Sequence, residues 1–239
     1  MKNVLDVLAQ LPWLDWLALV AFVAGWSGYA SFARRQGLAE RSLLATSNRV
    51  RRQWMVQATF RDNRVLDGVV VQNMSSAPSF FASTTILIIG GLLAMLSTTE
   101  RVAELVKEIP FAARTSVLVF DMKLVLLTGI FVYAFFRFTW SLRQYSFGAL
   151  LVGAAPDRDV FAAMGEKAPA ERQAFADRAG RVMGLAAEAF NDGLRGYYMA
   201  FAVVGWFFSP LVFMLATAGV LWVLYQREFH SDVLDALRG

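Results

Sequence analysis

Four apolar stretches, Trp13–Phe32, Phe80–Ser97, Ser116–Phe138 and Met199–Tyr225, are each long enough to cross a lipid bilayer. The hydrocarbon core is about 30 Å thick and an α-helix rises about 1.5 Å per residue, so about 20 mostly apolar residues suffice. A soluble domain would space its apolar side chains periodically. Here they come in blocks, with the charges in the gaps, and the chain is 57% hydrophobic while still 18% charged. Trp and Tyr gather near the block edges, as at Trp13, Trp16, Tyr29, Trp140, Tyr145, Tyr197, Tyr198, Trp222 and Tyr225, where their one apolar and one wet end suit the headgroup zone. The pattern predicts an all-α polytopic membrane protein: four transmembrane helices with cytoplasmic helical extensions, read as one domain over residues 1–239.

The basic residues orient it. Residues 33–78 carry eight arginines, and residues 137–198 carry seven arginines and Lys167, against seven acids, together sixteen of the 23 Lys and Arg. The loop after the second stretch holds Arg101, Lys107 and Arg114, balanced by Glu100, Glu104 and Glu108. Lys and Arg resist translocation, so both long segments are expected in the cytoplasm of a bacterial cell, the protein in its inner (plasma) membrane, and both termini in the periplasm. Arg34 and Arg35 directly follow the first stretch, and only Lys2 precedes it, against Asp6 and Asp15, so it reads as an uncleaved anchor and not a signal peptide.

Composition also excludes chemistry. There is no cysteine and a single histidine, His230, so thiolate, haem, zinc and di-iron sites lack their usual ligands, and no cofactor is expected. No phosphate loop, metal-binding helix or nucleophile–histidine pair occurs, and no enzymatic activity is expected. The net charge of +4 follows from the positive-inside rule without a nucleic-acid partner.

The cytoplasmic segments read as helices. From Ser42 to about Met74, apolar residues recur at helical spacing with arginines on other faces. Such a helix either lies on anionic headgroups or packs against its neighbours with its arginines solvated. Ser75-Ser76-Ala77-Pro78 predicts a new helix start. Pro156-Asp157-Arg158-Asp159 predicts a turn and then a short helix around Phe161, broken at Gly165 and Pro169. A long helix from about Ala170 carries Phe175, Ala179, Val182, Ala186, Ala189, Gly193 and Tyr197 at seam spacing and runs on into the fourth stretch.

Polar residues inside the stretches draw the functional candidates. Asp121 and Lys123 lie a turn or two from one end of the third stretch. A mid-membrane charge costs roughly 2.5–3.5 kcal/mol on insertion scales and faces protein or water. Two residues apart is about 200° around a helix, so the pair does not neutralise itself. One of them finds a partner on another helix, a second subunit or a wet cavity, or else Lys123 snorkels to the headgroups. In the fourth stretch Gly205, Ser209 and Pro210 mark a bend, and Pro210 frees the backbone carbonyl of Trp206. Broken helices of this kind form ion sites in some transporters and serve only packing in others.

Several short motifs, in order, carry a resemblance. They are Arg52-Gln53-Trp54, Val71-Gln72-Asn73-Met74, Lys123-Leu124-Val125-Leu126-Leu127, Ser141-Leu142-Arg143-Gln144-Tyr145 and Gly193-Leu194-Arg195-Gly196-Tyr197-Tyr198. Over roughly residues 10–226 the chain resembles the domain of unknown function 599 family of bacteria and plants. The resemblance implies a four-span membrane protein without an assigned activity. It also implies that Trp54, Gln72, Lys123, Arg143, Gln144, Tyr145, Arg195 and Tyr197 stand at recurrent family positions. With Arg52, all of these but Lys123 belong to the cytoplasmic mouth, as a collar that caps helix ends and grips lipid phosphates or as a cationic vestibule. Two functions are compatible with these features. One is an oligomeric small-ion channel or transporter with Asp121 and Lys123 in its outer half. The other is a membrane-anchored scaffold or assembly factor for a partner complex. The expected partners are the bilayer with its anionic lipids and further copies of the chain, with no nucleic acid.

Overall fold

The computed structural model describes residues 11–38, 42–98 and 117–238. They form helices α1 (Trp13–Leu38), α2 (Leu43–Ala58), α3 (Val65–Ser97), α4 (Val117–Gly153), α5 (Arg158–Ala163), α6 (Ala168–Trp206), α7 (Pro210–Phe229) and α8 (Asp232–Arg238), with a 3₁₀ turn at Gly165–Lys167 and no strand among the described residues. The all-α expectation holds, and four helices are long and apolar enough to span a membrane: Trp13–Gln36, Val65–Ser97, Val117–Gly153 and Pro210–Arg238. The protein is a multi-pass membrane protein.

The chain clusters into two compact units. Among the described residues, unit one comprises 11–35, 84–98, 117–134 and 194–226, and unit two comprises 36–38, 42–83, 135–193 and 227–238. In unit one, α1, α4, α6 and α7 close on a core of Phe22, Phe120, Leu124, Met199, Val203, Trp206 and Phe213. The helix directions follow from the pairs that meet. Asp15 meets Trp206 and Tyr29 meets Arg195, so α6 runs antiparallel to α1. Phe22 meets Phe213 and Phe32 meets Tyr225, so α7 runs parallel to α1. The stretch expected as a single proline-bent span, Met199–Tyr225, is therefore two arms of a hairpin reversed at Phe207–Ser209. Its physical basis lies at Pro210, which has no N–H to continue α6 but whose fixed φ suits the first position of a new helix.

Unit two is built on Met55, Val71, Tyr145, Val152, Phe161, Phe175, Ala179, Met183 and Ala186. The expected helix over Ser42–Met74 is interrupted at Thr59–Arg64 and resumes at Val65, whose N–H donates to Asn63 Oδ1 at 2.9 Å. The start expected at Ser75–Pro78 is not there. Pro78 lies inside α3, and the Ser75 and Ser76 hydroxyls bond back to the carbonyls of Gln72 and Asn73 at 2.7 Å each instead of capping a new helix. The expected turn at Pro156–Asp159 and short helix are present, and Gly165 ends the latter with φ +57°, a conformation that favours glycine. The long helix begins at Ala168, with Pro169 tolerated in its first turn. At the end of the chain α8 packs on α2, and Glu228 accepts from the Leu44 N–H at 3.4 Å.

Candidate functional site

The site begins with three carbonyls at the end of α6. The Phe207 N–H reaches the Val204 carbonyl at 3.1 Å, and the Phe208 N–H reaches that of Gly205 at 3.1 Å. Pro210 has no N–H for the Trp206 carbonyl, and the Lys123 ammonium fills that place, donating at 2.8 Å. Lys123 is only 1% exposed. Its Nζ also lies 5.4 Å from the Trp206 ring centre and 5.8 Å from that of Phe207, distances at which aromatic faces stabilise a cation. On the other side of the same residue, the Trp206 indole N–H donates to Asp15 Oδ1 at 2.6 Å. Asp15 is 5% exposed, and its charge acts on Lys123. One tryptophan thus joins a buried acid on α1 to a buried base on α4, and it is held flat by stacking on Phe213 at 5.3 Å.

Gly205 lets the hairpin close. A methyl group there would stand 3.2 Å from Val212 Cγ1 and 3.3 Å from both the Ala216 Cβ and the Val212 carbonyl oxygen. Ser209 caps α7, its Oγ accepting from the Val212 N–H at 3.1 Å. Asp121 does not join this group. One of its carboxylate oxygens is buried without a hydrogen-bond partner, and the residue borders an apolar pocket that Trp206 also lines.

Further along α6 in unit one, Arg195 is buried with its guanidinium 5.7 Å from the Tyr29 ring centre. Tyr197 shares a 2.7 Å hydrogen bond with Thr85. Arg195 lies eleven residues before Trp206, or about 16 Å along the helix.

The remaining predicted residues fall in unit two and have separate surroundings. Trp54 donates to Asp67 Oδ1 at 2.7 Å, and Arg61 pairs with the same oxygen, which is how a fully buried aspartate is held there. Gln144 is buried and, in the amide orientation that satisfies both ends, donates to the Leu185 carbonyl at 3.1 Å and accepts from Trp140 Nε1 at 3.3 Å. Tyr145 is buried in the core beside Arg51, whose pKa burial lowers and Tyr145 partly restores. Arg52 lines a groove of about 560 Å³ with Asn48, Asp177, Arg181 and Glu188. Gln72 is exposed, and Arg143 is exposed over the Phe147 ring at 5.4 Å. The capping of helix ends expected of this collar is carried in unit two by two arginines not singled out for it. Arg64 reaches the carbonyls of Ala155, at 2.7 Å, and Pro156. Arg172 donates to the Thr59 carbonyl between the rings of Phe60 and Phe161, 4.1 and 4.5 Å away.

Asp15, Arg64, Asp67 and Arg172 are thus the residues that sequence reasoning missed. Asp15 carried a signal of the same kind as Asp121, an acid inside an otherwise apolar helix. The other three had none, because arginines and aspartates in a polar segment look alike until the fold buries some of them. Among the described residues no group of three His, Asp or Glu is placed to hold a metal ion.

Residues 17–233 match the sequence model of the family described as "Protein of unknown function, DUF599". The chain belongs to that family. No curated protein and no solved structure matches it. The match extends into both units of this DUF599 protein, so Lys123, Trp206 and the arginine clamps of unit two lie in the matched region, while Asp15 stands just before its first residue.

Proposed function

We propose that this protein moves a small ion across the membrane and that the working part is the α6–α7 hairpin. The observation that carries the reading is the Lys123 ammonium seated on the carbonyl left open at the helix break, with Asp15 held on the other edge of Trp206. An acid and a base buried together near the end of a bundle are expensive to keep in an apolar interior. Loss of the Lys123 charge would weaken the hydrogen bond that holds the hairpin, since a neutral donor bonds a carbonyl less strongly than an ammonium. Arg195, Tyr29, Thr85 and Tyr197 supply polar groups further along the same unit.

The topology belongs to the same proposal. Because α7 runs parallel to α1, it leaves unit one at the end where α1 leads into the first arginine-rich segment. The C-terminal α8 also packs on α2 within that segment. With the arginine-rich segments in the cytoplasm, the N-terminus is outside and the C-terminus inside, in place of two periplasmic termini. The protein acts as an oligomer in the bacterial inner membrane, with its exposed arginines on anionic headgroups.

The test is ion flux into proteoliposomes, read with pH-sensitive and potassium-sensitive dyes. Wild type is expected to exceed empty liposomes, and Lys123→Ala is expected to reduce the flux by about tenfold or more, the scale of losing one buried charged hydrogen bond. Asp15→Asn keeps an acceptor for Trp206 while removing the charge, so it separates function from folding. Wild-type flux at the empty-liposome level, or flux unchanged in both variants, sinks the proposal and leaves the scaffold reading.

A further inference from the structure

The groove beside Arg52 in unit two has no part in the hairpin. Two buried glycines of α6 form its floor and let α2 lie close against it. A methyl group on Gly180 would stand 2.7 Å from Arg52 Cγ and 3.1 Å from Arg52 Cα, and one on Gly184 would stand 3.0 Å from Asn48 Oδ1. The Arg52 stem and the Asn48 amide therefore make one wall, and Asp177, Arg181 and Glu188 of α6 make the other. Asn48 Oδ1 accepts from Arg51 at 2.7 Å, which leaves the amide N–H groups to the groove. Asp177 accepts from Gln173 at 3.1 Å through one oxygen only. Arg181, one turn on, does not pair with it, and both side chains are exposed. The four charges of the lining, two of each sign, cancel. A plain anion meets two carboxylates there and a plain cation meets two guanidiniums, whereas a ligand carrying both signs satisfies each pair. Two arginines on facing helices share the oxygens of one phosphate readily. From Arg181, Asp177 is about 6 Å along the helix axis and Glu188 about 10 Å, so Asp177 is the nearer acid for a cation on a short bridge. The depth agrees. Arg137 meets Asp192 at 2.6 Å and Ser141 meets the Ala186 carbonyl at 2.7 Å, so α6 runs antiparallel to α4. Glu188 is thus level with the end of the apolar stretch at Phe138, and Arg181 and then Asp177 lie farther from the bilayer. A phospholipid head group carries its phosphate and then its ammonium in that order.

We infer that this groove binds a phosphoethanolamine diester, its phosphate on Arg181 and Arg52 and its ammonium on Asp177. The same chemistry comes from a lipid head group or from a soluble glycerol diester. A choline head group has the same charges but no ammonium N–H to donate to Asp177, and it fits less well. The inference stands apart from the transport reading and neither needs ion flux nor predicts it.

The experiment is titration calorimetry on the full chain in phosphatidylcholine nanodiscs at neutral pH. The probes are glycerophosphoethanolamine, glycerophosphocholine and the anionic glycerophosphoglycerol. The ethanolamine diester is expected to saturate at one per chain and to bind about tenfold tighter than either of the others, the preference one charge-assisted hydrogen bond supplies. Asp177→Asn is expected to erase that preference, and Arg181→Gln to weaken the ethanolamine diester about tenfold. Both residues are exposed, so neither substitution threatens the fold. Repeating the titration in nanodiscs that contain phosphatidylethanolamine separates the sources: loss of probe binding identifies the lipid head group, and unchanged binding identifies the soluble diester. Equal or tighter binding of glycerophosphoglycerol would make the groove a plain arginine patch and overturn the inference. So would a preference that survives Asp177→Asn, or no saturable binding of the ethanolamine diester to wild type in phosphatidylcholine.

Discussion

The two units meet the same physical difficulty and answer it with different residues. In each, helix-end carbonyls lie in the interior, where backbone oxygen must find a donor. Unit two uses arginine. Arg172 reaches the carbonyls of Thr59 and Arg158 between two aromatic rings, and Arg64 reaches those of Ala58, Ala155 and Pro156. Unit one uses one lysine on one carbonyl. A guanidinium keeps its charge at any accessible pH and offers five donors in a rigid fork, whereas an ammonium is a point charge that gives up its proton when its surroundings disfavour the charged form. The clamps of unit two therefore keep their charge, whereas a lysine clamp can lose its own. The transport reading proposed above places its moving part in unit one for that reason.

The sharpest way to break this comparison is to remove the releasable clamp. Lys123→Met keeps most of the volume but orphans the Trp206 carbonyl and leaves Asp15 without its counter-charge. Thermal unfolding in detergent is expected to show a loss of about 3 kcal/mol, the scale for breaking a buried ionic contact from one side. Lys123→Arg is expected to be destabilising as well, by about 1–3 kcal/mol, because a fully buried site packed against Trp206 and Phe207 has no room for the larger fork. An arginine variant as stable as wild type would mean that the site asks only for a fixed charge, and the distinction between the units would disappear.

The converse substitution in unit two is expected to have a smaller effect. Arg172→Lys retains the charge but forfeits the second carbonyl and the flat stack between Phe60 and Phe161, a loss of about 1–2 kcal/mol in the same assay. If lysine served equally well there, the arginines would be interchangeable point charges and not clamps.

How much of this was readable beforehand depends on the distance between the groups that meet. The first and third apolar helices, the short helix ended at Gly165 and the long rod running on into the fourth stretch are local patterns of hydropathy and turn chemistry, and they stand where the residues put them. The open Trp206 carbonyl was also legible, because it follows from Pro210 four residues on. Its partner was not: Lys123 lies 83 residues away, and no periodicity ties the two together. Nor does hydropathy carry direction. An apolar run of the length of Met199–Tyr225 reads the same whether it crosses once with a bend or turns back on itself, and it is the pairs Asp15–Trp206 and Tyr29–Arg195 on one arm, with Phe22–Phe213 and Phe32–Tyr225 on the other, that tell the two apart. Pro78 misled for a related reason: a proline is a breaker only where the rest of the helix is not held by packing, and α3 carries it in mid-run.

The smallest effect separates the units by their solvent. Ser209 caps α7 in unit one, accepting from Val212 N–H at 3.1 Å, and Ser42 caps α2 in unit two, accepting from Ala45 N–H at 3.2 Å. Replacing a serine cap by alanine costs about 0.5–2 kcal/mol, depending on what else reaches the freed N–H. Beside a membrane span there is little water to do so, and the hairpin arm has just three residues between α6 and α7 in which to find another acceptor. Ser209→Ala is therefore expected near the top of that range and Ser42→Ala near the bottom, the latter helped by Glu228, whose carboxylate already reaches the neighbouring Leu44 N–H. Thermal unfolding of the two variants in nanodiscs measures both losses. A loss for Ser209→Ala no larger than that for Ser42→Ala would place water at the hairpin, and the lysine clamp would then sit in a wet cavity instead of an apolar one.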